Sequence, residues 1–209
     1  MRTHPVTALA RSVPALALIA CLVVACTGDP VAQVTDLRAI VPMSDDAPDD
    51  LRYAGRLSGP ADLEAFRGDP EGREAMRAAG FRSAWTSLFA SPDLLAFFTL
   101  SEPNTDPPED ARLVTASAVL FADADGATSA LATFEEEATD GMRDPLRGLE
   151  PVPGGFALAG ARGGQPVTAT GSVAGEIVVL VQTQGSVPPA TADAMLAGMH
   201  DAAITETAS

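Results

Sequence analysis

Hydrophobic positions change period several times along the chain, and each change marks an element. Val13 to Ala25 is an almost unbroken apolar run. It falls well short of the roughly 20 residues that cross a bilayer. Arg2 and Arg11 precede it with no acid between, so the layout is that of a signal segment, a basic start followed by an apolar stretch. Thr27 to Asp36 is a polar, proline-containing tether, and the apolar patch Leu37 to Val41 begins the fold. Leu51 to Leu57 reads as a first strand. Ala61 to Ala79 is helical in two pieces: Leu63 and Phe66 share a face in the first, and Asp69-Pro70 supplies an N-cap and a first-turn proline for the second. Gly80 stops that helix. Phe81, Trp85 and Phe89 fit one stripe of a helix and one face of a strand equally well. The preceding glycine and the Trp, Phe and Thr content favour a strand.

Ser91-Pro92-Asp93 opens a short helix through Phe98, and Ser101 to Asp110 is a polar loop with three prolines. Leu113 to Phe121 is a clear strand. It runs into Asp123-Ala124-Asp125-Gly126, after which Ala127, Ala130, Leu131, Phe134 and Ala138 make a helical apolar stripe. Beyond Gly141 the pattern reads as loop. Three short strands follow, Phe156 to Ala159, Val167 to Ser172 and Glu176 to Gln182, with turns at Arg162-Gly163-Gly164 and Ala174-Gly175. The unbroken Ile177 to Val181 marks a central strand covered on at least one face. A last helix, Ala192 to Ile204, turns Leu196, Met199 and Ala203 inward. This order predicts an α+β fold, a single mostly antiparallel sheet with helices packed on one face.

The apolar run near the start ends in Val23-Val24-Ala25-Cys26, an aliphatic residue and two small ones before a cysteine. This resembles the lipobox of bacterial lipoproteins. The resemblance implies that the Cys26 thiol takes a diacylglyceryl group, that the chain is cut before it, and that the new amino terminus is acylated again. Two or three acyl chains anchor stably where one binds only reversibly. Leu18-Ile19-Ala20-Cys21 fits the same box, but cutting there leaves Leu22 to Ala25 as an apolar stub, so Cys26 is preferred. The organisation expected is a signal peptide over 1–25, a lipidated cysteine and tether over 26–36, and one extracytoplasmic domain over 37–209.

Composition then narrows the chemistry. Without residues 1–25 the chain keeps 184 of its 209 residues and carries 11 arginines against 28 acids, a net charge of −17. Such a surface repels nucleic acid and anionic head groups, so membrane attachment rests on acyl chains. The chain has no lysine, which excludes a Schiff base, a Ser-Lys dyad and a phosphate-loop lysine. That absence, with abundant Ala, Gly, Pro, Arg and Asp, fits a GC-rich genome. With Cys21 removed and Cys26 lipidated, no thiol remains for a disulfide, a nucleophile or a metal. His200 is then the sole imidazole, and it reads as a surface residue beside Asp201.

Acid clusters invite a metal reading and do not sustain it. Asp45, Asp46, Asp49 and Asp50 surround Pro48 without the ligand spacing and glycine of a calcium loop. Asp123-Ala124-Asp125-Gly126 has Phe121 where the first acid of such a loop stands and Ala132 where its closing glutamate stands. Both read as solvated or capping acids. No metal or cofactor is expected. Trp85, Phe89, Phe97 and Phe98 concentrate aromatics in an aromatic-poor chain and are the candidates to line a ligand groove, although aromatics ordinarily fill a core.

Asp46-Ala47-Pro48 through Gly80-Phe81, Ser117 through Ala127, and the terminal hairpin and helix look like uncharacterised extracytoplasmic domains of actinobacterial lipoproteins. That resemblance covers most of the chain after Cys26 and implies a binding or sensing module, with no functional residue to carry over. The reading is therefore a non-enzymatic, lipid-anchored binding module on the extracytoplasmic face of the cell membrane. Three alternatives stand beside it. Alanine-rich helices over a β-branched sheet could enclose a cavity for an acyl chain or glycolipid. The domain could dock as an accessory subunit on an envelope enzyme or transporter. A hydrolase would need only two carboxylates in a cleft, but no spacing singles out a pair. Nothing in the sequence sets an oligomeric state.

Overall fold

The computed structural model describes residues 36–48, 50–100, 108, 110–148 and 152–208. Cys26, most of the tether, Asp49 and most of the Ser101 to Asp110 loop lie outside them. Eight strands form one sheet: β1 (Arg52–Tyr53), β2 (Gly59–Ala61), β3 (Ser83–Ala90), β4 (Leu113–Leu120), β5 (Arg143–Arg147), β6 (Phe156–Arg162), β7 (Gln165–Ala174) and β8 (Ile177–Gln184). Their spatial order is β1-β3-β4-β8-β7-β6-β5, with β2 also on β3. Every described pairing is antiparallel.

The outer edge of β3 is shared. β1 pairs with Phe89 and Ala90, and β2 with Ala84 to Thr86. Leu51 to Leu57 is thus not one strand, because the chain turns away after Tyr53. The Ser58 hydroxyl fills the gap, accepting from Leu88 N at 2.9 Å and donating to the Ala54 carbonyl at 3.1 Å. A second departure from the sequence reading is β5, which lies where a loop was expected.

The helices are α1 (Leu37–Ile40), α2 (Leu63–Phe66), α3 (Pro70–Ala78), α4 (Pro92–Leu100), α5 (Ala124–Asp140) and α6 (Pro189–Thr207). Asp69 and Asp123 cap α3 and α5 as expected, accepting from Gly72 N and Gly126 N. Gly80 ends α3 at φ +79°, where a Cβ would lie 2.9 Å from that of Ala122.

The α+β class and the single antiparallel sheet stand as read from the sequence. The helices, expected on one face, divide between two. Alternation along β8 shows why: Ile177, Val179 and Val181 meet α6 and α1, while Val178 and Leu180 meet α5. An unbroken apolar strand needs cover on both sides. At Leu196, Ala192 and Ala203 of α6, at Ala127 and Ala130 of α5, and at Ile177, Val178, Val179 and Val181 beneath them, accessible area is 0%. A side chain with no accessible area borders no void the size of a water. At these positions the alanine-rich helices sit flush on the sheet.

Candidate functional site

A groove of about 480 Å³ lies between the first turn of α3 and the outer side of α5. Arg67, just after α2, forms its inner wall. The guanidinium pairs with Glu137, lies 3.7 Å from Asp69 Oδ2, and sits 5.6 Å from the centre of the Phe134 ring. Its side chain is only 15% exposed. Gly72 permits this path, because a Cβ there would stand 2.4 Å from Arg67 Nη2. Arg73 Nη1 fixes the turn below by donating to the carbonyls of Gly68 at 2.9 Å and Arg67 at 3.3 Å. Beneath lies an aromatic cluster in which Phe66 contacts Phe81 and Phe134, and Phe81 contacts Phe121. Asp69, Glu71, Glu136 and Asp140 stand exposed around the rim. The arrangement holds a structural ion pair under a solvated acidic rim, and it brings no nucleophile to a base.

The one imidazole on the described part of the chain is half-buried rather than on the open surface. His200 Nδ1 lies 3.0 Å from Ser172 Oγ, joining α6 to β7. In a serine hydrolase the imidazole takes the serine proton on one nitrogen and is held by an acid on the other. Here Ser172 has no accessible area, and no carboxylate bonds His200 among the described residues. The pair ties a helix to a strand.

Trp85 and Phe89 share the α1 and α6 side of β3. Phe89 is fully buried, 5.5 Å from the Tyr53 ring. Trp85 is half-buried, with Nε1 enclosed and without a hydrogen-bond partner. Phe97 and Phe98 contact each other on α4 at 5.9 Å. No ring contact joins the two pairs among the described residues. Of the acids around Pro48, Asp45 and Asp46 lie in a 3-10 turn at Ser44–Asp46, in which Asp46 accepts from Met43 N at 2.8 Å, and Asp49 lies outside the described residues. Among the described residues no three His, Cys, Asp or Glu side chains gather as a metal site.

What the sequence reading missed is the Arg67–Glu137 pair, whose members are 70 residues apart. Asp69-Pro70 and the α5 stripe located the two helices without showing that they touch.

Fold and sites together define an α+β domain with a two-sided antiparallel sheet. No family model matches the chain, and no curated protein matches it. Among solved structures it is similar to the extracellular domain of PknH from Mycobacterium tuberculosis, with a TM-score of 0.55 and 15% identity. The alignment covers 85% of this chain and 98% of that one. At that identity the likeness is one of fold.

Proposed function

We propose that the protein is a lipid-anchored binding or sensing module of the cell envelope, displayed on the extracytoplasmic face of the membrane and without catalytic activity. The observation that carries the proposal is the fold. Nearly the whole of an extracellular domain, the part of PknH outside the cell, superposes on this chain. Val23-Val24-Ala25-Cys26 supplies the matching address. Acyl chains on Cys26 hold a domain whose net negative charge gives it no general attraction to anionic head groups. The flush packing of α5 and α6 favours recognition at the surface over carriage of an acyl chain inside.

The test is fractionation of the full chain in an actinobacterial host. The native protein should pellet with membranes and be released by detergent, whereas Cys26→Ser should appear in the detergent-free extract. Continued pelleting of Cys26→Ser would contradict the anchor.

A further inference from the structure

Strand β5 is exposed at all five residues, and its Leu146 is 71% exposed, well above the 49% of Ile204. The cause is a bulge. Arg143 pairs with Ala161 and Leu146 with Ala159, so two residues of β5 stand opposite Gly160 alone. Asp144 takes up the extra length at φ +53°, a backbone conformation that L residues other than Asn and Asp adopt rarely. Without the extra residue Leu146 would stand opposite Leu158, facing α5. With it, Leu146 turns to the α6 side and Arg147 takes the α5 side, where it pairs with Glu135. A bulge that points leucine into water and arginine toward a helix is the reverse of what core packing alone would select.

The surface onto which Leu146 turns is open. α6 lies over β4, β8 and β7. Beside it Ala159, Ala161 and Pro166 share the α6 side of β6 and β7, half-buried or exposed, and exposed Arg143 stands at the margin. The strip is apolar and edged by Arg143, with exposed Asp144 next to it and Asp193, Asp201 and Glu206 on α6.

We propose that this strip, centred on Leu146 with Arg143 beside it, rests on the bilayer that carries the lipid anchor and so orients the domain. The proposal rests on the anchored reading above. The observation that favours the bilayer over another occupant is reach. The described chain starts at Asp36, and α1 packs on α6 and β4, the same side of the sheet toward which Leu146 points. From β4 to β5 is four strand spacings, about 19 Å. Residues 26–36, extended, span roughly 35 Å. The anchor can therefore hold Leu146 at the lipid surface without strain. Once the chain is tethered, a contact too weak to bind free protein is enough to set orientation.

The experiment uses the acylated protein in vesicles of phosphatidylglycerol and phosphatidylethanolamine containing a nitroxide-labelled lipid. With Cys26 acylated and the leader removed, an introduced cysteine is the sole thiol. Leu146→Cys and, on the exposed side of α5, Ser129→Cys each receive the same fluorophore. Quenching several-fold stronger at position 146 than at 129 is expected, and Arg143→Glu should reduce it while the protein still floats with the vesicles. Equal quenching at the two positions in floating protein would overturn the orientation and leave the anchor standing. Protein that does not float would overturn the anchor, and the orientation with it.

Discussion

His200 Nδ1 and Ser172 Oγ meet at 3.0 Å across the interface between α6 and β7. Ser172 is enclosed and His200 half-buried, so the bond closes a polar pair that would otherwise interrupt the packing of α6. Its role is to fasten the helix. His200→Ala and Ser172→Ala should each lower stability by about 1 kcal/mol, read as a shift in the urea midpoint, with no further loss in the double variant. Additive losses would show that the two residues act independently.

The flush contact of α6 with the sheet leads to a second expectation. Leu196 has no accessible area and packs in the core with Val179, Val181 and Met199. Leu196→Ala should cost about 2–5 kcal/mol, the range for an enclosed leucine whose surroundings cannot collapse. A loss below 1 kcal/mol would mean that free space already lies beside it and would favour the carrier reading.

The start of α5 is held from two sides. Asp123 Oδ1 accepts from Gly126 N at 2.8 Å, and a Cβ on Gly126 would stand 2.1 Å from the Ala79 carbonyl oxygen at the end of α3. Asp123→Ala should cost about 1 kcal/mol as the loss of a cap. Gly126→Ala should cost more, about 1–3 kcal/mol, because backbone must move. Thermal unfolding of the two variants checks the order, and a neutral Gly126→Ala would show that α3 and α5 do not meet this closely.

These elements also show where sequence was informative. The stripe Ala127, Ala130, Leu131, Phe134 and Ala138, all buried, and the caps at Asp69 and Asp123 were legible because period and cap chemistry are local. β5 was not, since Arg143-Asp144-Pro145-Leu146-Arg147 has a proline, three charges and a bulge that breaks alternation. An edge strand buries too little to leave a pattern. The division of helices between two faces was half-visible in Ile177 to Val181: an unbroken apolar strand signals two covers, but not which helix supplies each. Groove and patch depend on contacts between distant segments, Arg67 with Glu137 and Leu146 with Ala159, and the second pairing reverses faces through a single added residue. The lipobox-like run ending in Cys26 lies outside the described residues, and its reading rests on sequence alone.

The central claim is the anchor, and it is tested most directly by the intact mass of the protein purified from membranes. The account predicts a chain beginning at Cys26 and heavier than its sequence by a diacylglyceryl group and a further acyl chain. A mass that starts at Met1, or an unmodified chain cut elsewhere, would contradict it.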